Sequence, residues 1–237
     1  MFRQFLALLW LRTQIIITNK SVLLQMVMPA GLVYLYKFMM DSQSGSKEQL
    51  GIVYLMLCIP FALVLAVGGP ILTILAEEKE KNNLKTLLLS GVKGSEYLLS
   101  TLIIPLILSV FYLVVTPLIL GVNIDNYTNY YVISGGVALI VLLLYLSLGL
   151  VVKSQVMAQV VSIPTMLIIA FLPMLSGMDK TLSKVTDYSF MGLFTKFFSK
   201  WESFSWSHAH LQLYSWIVWL FAIIVFTVVA VKQQRKD

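Results

Sequence analysis

The stretch "LAEEKEKNNLKTLLLSGVKGSE", residues Leu75–Glu96, holds four glutamates and four lysines and is the one long charged interruption in a mostly apolar chain. Apolar runs of about 20 residues, the length a spanning helix needs, lie on both sides of it. Working outward, six such runs stand out: Val22–Met40, Gly51–Leu75, Leu98–Leu120, Tyr131–Val152, Val156–Leu175 and Leu211–Val231. Backbone polar groups in lipid must be satisfied within the segment, so these runs are helices, and the absence of strand-like alternation argues against a barrel.

Composition agrees. The chain has 237 residues, of which 59% are hydrophobic and 12% charged, with a mean hydropathy of +0.87. A soluble domain carries about 25% charged residues. The expectation is an all-α polytopic membrane protein, residues 1–237 forming a single transmembrane domain. The net charge of +6 sits largely beside the apolar runs, where it marks topology and anionic-lipid contact rather than nucleic acid.

With the N-terminus inside, the inner segments hold Arg3, Arg12, Lys20, Lys79, Lys81, Lys85, Lys93, Lys153, Lys232, Arg235 and Lys236, and the outer ones Lys47, Lys180, Lys184, Lys196 and Lys200. That bias puts both termini in the cytoplasm. Tyr34, Tyr36, Tyr127, Tyr130, Tyr131, Trp206 and Tyr214 fall near the outer ends, as an interfacial belt would. Residues 1–20 read as an amphipathic helix retained on the inner leaflet, with Phe2, Phe5, Leu6, Leu9 and Ile16 near one face and Arg3 and Gln14 elsewhere. Residues 77–94 form a cytoplasmic loop and 176–210 an outer loop. Within the latter, Phe190, Phe194, Phe197, Phe198 and Trp201 recur at helical spacing, which predicts a short helix lying on, or dipping into, the outer leaflet.

Much chemistry is missing. No Asp, Glu, Arg or His lies in the middle of a proposed span, which disfavours a proton- or sodium-driven carrier. The segment GVKGSE lacks P-loop spacing, so no ATP is hydrolysed by such a motif here. Cys58 is single, and His208 and His210 point apart on a helix, so no metal site is expected. No nucleophile, base and acid assemble, and no catalytic residue is assigned.

The charged stretch then reads as follows. Glu77, Glu78, Lys79, Glu80 and Lys81 leave the membrane, Asn82 and Asn83 break and cap, and Leu84, Leu87 and Leu88 form one face of a helix of about two turns. Gly91 suits its C′ position, Ser95 a cap on the third span, and Glu96 that helix's dipole. A helix so short must pack on something. Two partners fit: this chain's own helix ends or lipid surface, and a groove on another protein.

The run EEKEKNNLKTLLLSGVKGSEYLLSTLI resembles the signature of type-2 ABC transporter permeases, in which a glutamate-rich end of the second span leads into a Thr-Leu core and a small-residue turn. Here Leu84-Lys85-Thr86-Leu87-Leu88 stands for the core, Ser90-Gly91-Val92 for the turn and Glu96 for the acid that opens the third span. Asn83-Leu84-Lys85 replaces the usual Gly before the core, Gly91 the usual Pro, and the basic residue near Leu102 is missing. The order of an inner-leaflet helix, six spans and a large last outer loop matches over essentially the whole chain.

The resemblance implies that this short helix couples to a separate P-loop ATPase, with two permeases, as homodimer or paralogue pair, and two ATPases in the working unit. ATP and Mg would be held by the ATPase, and no cofactor by this chain. Expected ATPase contacts are Glu77, Glu78, Glu80, Leu84, Thr86, Leu87, Leu88, Ser90 and Gly91. The second and fifth spans would line the route, with Gln155, Gln159, Ser162 and Thr165 as a polar stripe and Met56, Phe61, Met166 and Phe171 as apolar lining. The same stripe suits helix–helix contact. Export of a drug, an amphipathic or antimicrobial peptide, or a lipid-like cargo from a bacterial plasma membrane follows as the expected role. The rival classes are an ion-coupled carrier or channel, and a non-transport scaffold or sensor.

Overall fold

The computed structural model describes residues 2–43, 47–83, 86–87 and 91–234, apart from the side chains of Phe2, Ser95 and residues 232–234. Among the described residues the chain is helical with no strand. Helix α1 (Phe2–Thr18) meets α2 (Lys20–Ser42) at Asn19, whose extended backbone turns the corner and whose side chain accepts the amides of Ser21 and Val22 at 3.1 and 3.3 Å. The second span is continuous from Lys47 to Glu80. It comprises α3 (Lys47–Ala62), a π segment (Leu63–Gly68) and α4 (Gly69–Glu80). The remaining elements are α5 (Gly94–Leu120), α6 (Tyr127–Val151), α7 (Gln155–Leu175), α8 (Lys180–Asp187), α9 (Gly192–Ser199) and α10 (His210–Gln234). The six spans expected from the sequence are α2, α3–α4, α5, α6, α7 and α10.

Local chemistry sets the boundaries. Asn126 caps α6 through the Asn129 amide, Ser154 caps α7 through that of Met157, and Asp179 caps α8 through those of Thr181 and Leu182. The amides of Leu182 and Thr181 hold the Asp179 carboxyl below its usual range. Helix α5 starts at Gly94 behind an extended Lys93 that gives no side-chain cap. Ser95, expected as that cap, therefore lies inside the first turn. At its other end Gly121 adopts φ 68°, and the Gly121 and Val122 amides return to Leu118 and Pro117 at 3.3 and 3.1 Å. This left-handed closure suits a residue without Cβ.

Spans 2 and 4 form the centre. In each, 61% of the most apolar window is buried, against 17–33% in the other four. Leu55, Ile59, Leu63, Ile71 and Leu75 of span 2 and Tyr130, Ile133 and Tyr145 of α6 anchor one continuous core. Helix α10 lies along α6, with Trp216 against bare Gly136 and Ser147 hydrogen-bonded to Thr227 at 2.6 Å.

Two segments depart from expectation. In α1 the inward face is Leu8, Arg12 and Ile16, flanked by half-buried Phe5 and Leu9, while Leu6, Trp10, Leu11 and Ile17 point outward. Phe5, Leu9 and Ile16, expected to lie on lipid with Leu6, instead turn toward the body of the protein. Beyond α7, the predicted leaflet helix is the short α9, preceded by α8, and its aromatics are buried. Phe190, Leu193, Phe194, Phe197 and Phe198 pack into the core, Phe198 edge-on to Tyr130 and Phe190 to Trp219. Burying five large side chains against span ends removes more apolar surface from water than resting them at headgroup level. Gln212 to Asp187 at 2.8 Å and Trp219 to the Tyr188 carbonyl at 2.9 Å fasten this seal to α10.

The α6–α10 contact is testable through its glycine. A Cβ on Gly136 would stand 2.7 Å from Trp216, whereas one on Gly31 meets nothing within 4 Å. Gly136→Ala is expected to destabilise by about 1–3 kcal/mol, and Gly31→Ala to leave the thermal unfolding midpoint unchanged or higher, both measured on purified chain in nanodiscs. Equal midpoints for the two variants would contradict the packing described.

Candidate functional site at the end of span 2

Helix α4 ends in Glu77-Glu78-Lys79-Glu80, with Lys81 as its C-cap. Consecutive helical residues are about 100° apart, so four of them face nearly every direction around the axis. Each of the four finds a different neighbour.

Glu77 accepts from the Asn19 side chain at 3.0 Å and from Lys81 at 2.6 Å. Because Asn19 also caps α2, Glu77 holds the α1–α2 corner. Glu78 is 4% exposed and takes two partners, the guanidinium of Arg12 from α1 and the hydroxyl of Tyr97 from α5. The guanidinium lies over the Tyr97 ring, 4.7 Å from its centroid. Lys79 donates to the Leu150 carbonyl in the last turn of α6, where a cation meets the negative end of the helix dipole. Glu80 accepts the amide of Gln155, the first residue of α7, at 2.8 Å, where an anion meets the positive end. One turn of one helix thereby ties α1, α2, α5, α6 and α7.

Arg12 is 2% exposed. Burial works against its charge, but Tyr97 and the Glu78 carboxylate prevail and raise its pKa above the ordinary value. Its Nε and Nη2 are buried without a protein partner, as is one oxygen of Glu96. A buried pair of this kind adds little over an apolar replacement, yet losing one partner strands the other charge.

Beyond the tetrad the chain turns sharply. Asn82 adopts φ 58°, a left-handed geometry that Asn tolerates, and its carbonyl accepts both the amide and the hydroxyl of Thr86 at 3.2 and 3.1 Å. Asn83, Thr86 and Leu87 are helical. Gly91 at φ 90° closes this turn, with the Val92 amide returning to the Leu87 carbonyl at 3.3 Å. Leu87 and Val92 are half-buried against the main core, whereas Asn82, Asn83, Thr86 and Gly91 are exposed.

Several site expectations change accordingly. Glu78, expected to touch a partner, is turned inward and has no surface to offer. Glu77 and Glu80 engage this chain's own helix ends, although Glu80 remains exposed. Leu87 packs on the chain's own body. Leu84, Leu88 and Ser90 lie outside the described residues. Sequence reading missed Arg12 as a partner and treated it only as an inner charge. The signal was its place four residues from both Leu8 and Ile16, inside the apolar stripe of α1.

The proposed route residues lie on spans 2 and 5. Phe61 meets Phe171 edge-on at 5.2 Å, which makes spans 2 and 5 neighbours, and Met56 is half-buried on the core. Thr165 bonds the Val161 carbonyl of its own helix at 2.8 Å. Gln155, Ser162 and Met166 are half-buried, and Gln159 faces outward.

A family model described as "ABC-2 family transporter protein" matches residues 11–231. No curated protein and no solved structure matches the chain.

The buried ion pair makes a definite demand. Arg12→Ala strands Glu78 and is expected to cost about 3–5 kcal/mol. Arg12→Ala with Glu78→Leu is expected to recover at least half of that loss in thermal unfolding of the purified chain. Additive losses in the double variant would contradict a direct pair.

Proposed function

The chain belongs to the ABC-2 family of transporter proteins, and on that footing we propose that it is the membrane half of an ATP-driven exporter powered by a separate P-loop ATPase. Two permease copies, identical or paralogous, and two ATPases make the working unit. ATP and Mg are bound by the ATPases.

The observation that carries the reading is the tetrad. A turn joined to the end of span 2 is useful for transmission only if its displacement reaches the other spans. Glu77, Glu78, Lys79 and Glu80 link that end to five elements through charged and hydrogen-bonded contacts. An ATPase pressing on the exposed side of the turn, with Thr86 and Gly91 at the contact, would move α4 axially, and we count Leu84, Leu88 and Ser90 as further contacts on the sequence resemblance alone. Glu77 and Glu80 sit at the rim of that contact. Leu87 fixes the turn to the body so that the push is not lost in bending.

The Lys and Arg distribution supports placing this end in the cytoplasm, together with both termini, of a bacterial plasma membrane. The outward face of α7, which carries Gln159 among Val156, Val160 and Ile163, supports a route between two permease copies. A mostly apolar face with isolated amides suits an amphipathic drug, an antimicrobial peptide or a lipid-like cargo.

The test is copurification with a P-loop ABC ATPase co-expressed from the same genome. Leu87→Asp is expected to release the turn, abolish ATPase attachment and leave membrane insertion intact. Thr86→Trp, on the exposed side, is expected to weaken attachment at least tenfold with no change in thermal unfolding. Undiminished copurification of both variants would defeat the coupling reading.

A further inference from the structure

Four of the six spans carry a proline at nearly one depth. Pro29 lies nine residues into α2 from Lys20, Pro70 ten residues before the end of α4 at Glu80, Pro105 eleven residues into α5 from Gly94, and Pro164 nine residues into α7 from Gln155. At about 1.5 Å per residue, all four sit roughly 14–17 Å from the tetrad end. Each proline removes a ladder bond and frees a carbonyl one turn back. Sharp kinks concentrate at such residues and at π segments.

The proline of span 2 has both features. Pro70 directly follows the π segment Leu63–Gly68 and Gly69, whose amide bonds the Val64 carbonyl. Gly68 presents bare backbone to the Tyr145 ring, where a Cβ would stand 2.6–2.8 Å away, and Gly69 presents it to Gln25 Oε1 at 2.8 Å. Gln25 Oε1 is buried without a hydrogen-bond partner. Such a group is rare in a settled interior, and an alternative packing would supply its partner.

The other two spans differ. Helices α6 and α10 contain no proline, and they are joined by the Trp216–Gly136 contact and the Ser147–Thr227 bond. The tetrad reaches this proline-free pair through the bond from Lys79 to the Leu150 carbonyl, one turn beyond the close contact of the Leu75 side chain on bare Gly149. The tetrad's other ties bind α1 and the near parts of α2, α5 and α7 to α4.

We propose that α1 and the tetrad-end portions of α2, α4, α5 and α7 move as one body about this layer of prolines, against the proline-free α6–α10 pair. Gly68 on the Tyr145 ring is the pivot, and the Lys79–Leu150 bond together with the Leu75–Gly149 contact is the joint that yields. The movement belongs to this chain alone. Neither an ATPase nor a cargo is needed to observe it, so it stands or falls separately from the transport reading.

Pulsed electron paramagnetic resonance on the full chain tests it. In a Cys58→Ala background, which removes the single cysteine, nitroxides are attached at Lys81→Cys and Val229→Cys, both exposed. The host is a phosphatidylcholine–phosphatidylglycerol nanodisc. A bend of about 20° on a lever of about 15 Å displaces the Lys81 label by roughly 5 Å. Two distance populations about that far apart are expected with the native prolines. Pro29→Ala/Pro105→Ala/Pro164→Ala is expected to reduce them to one, and Pro117→Ala, near the far end of α5, to retain both. A single narrow population with the native prolines, or unchanged populations in the triple variant, overturns the proposal. Should the triple variant not fold, Pro105→Ala alone is expected to shift the ratio of the two populations at least twofold, and an unchanged ratio overturns it equally.

Discussion

The contact between Arg12 and Glu78 is the constraint around which this end of the protein is organised. Both side chains are more than nine-tenths buried, and neither charge is sustainable there alone. The chain therefore folds with α1 docked, because an undocked α1 would expose its apolar inward face and leave Glu78 without a cation. Tyr97 completes the arrangement by donating to the same carboxylate and lying beneath the guanidinium. Span 2, the start of span 3 and the N-terminal helix are thus held by one buried point. Glu77, Lys79 and Glu80 extend that hold around the rest of the helix circumference.

The two ends of the bundle are secured by different physics. The tetrad end uses ion pairs, helix-end charges and an N-cap, all of which depend on direction and distance. The far end uses interlocking rings, where Phe197 alone touches Phe198, Trp201 and Phe204. Aromatic packing is strong but tolerates small slips of one ring on another. On the proposed coupling role, a displacement applied at the tetrad would be conveyed faithfully where it enters and absorbed where the segment before α10 closes the bundle.

Much of the architecture was legible in the residues. Apolar length alone located the six spans, because a helix that must cross lipid has little freedom in composition. The turn at Asn82 and its closure at Gly91 followed from residues that tolerate left-handed backbone. The tetrad was recognised as important, but Glu78 was expected at a partner's surface and is turned inward. Charges beside a membrane exit look alike whether they face solvent or a neighbouring helix, and only the helix positions of Leu8, Arg12 and Ile16 hinted that one acid had a partner inside. The aromatic run Phe190–Trp201 was misplaced for a similar reason. Its spacing marks a helix face but does not say whether lipid headgroups or protein cover that face.

The exposure pattern along the turn has a consequence for how such proteins diversify. Glu78, Leu87 and Val92 face inward, and any change there disturbs several helices at once. Asn83 and Thr86 are exposed, and Thr86 alone of the two carries a side-chain bond, to a carbonyl four residues back. On the proposed coupling role, selectivity for one motor subunit over another would be free to drift at the outer positions while the linkage beneath stays fixed. Exchange of partners between related systems would require only a handful of surface substitutions.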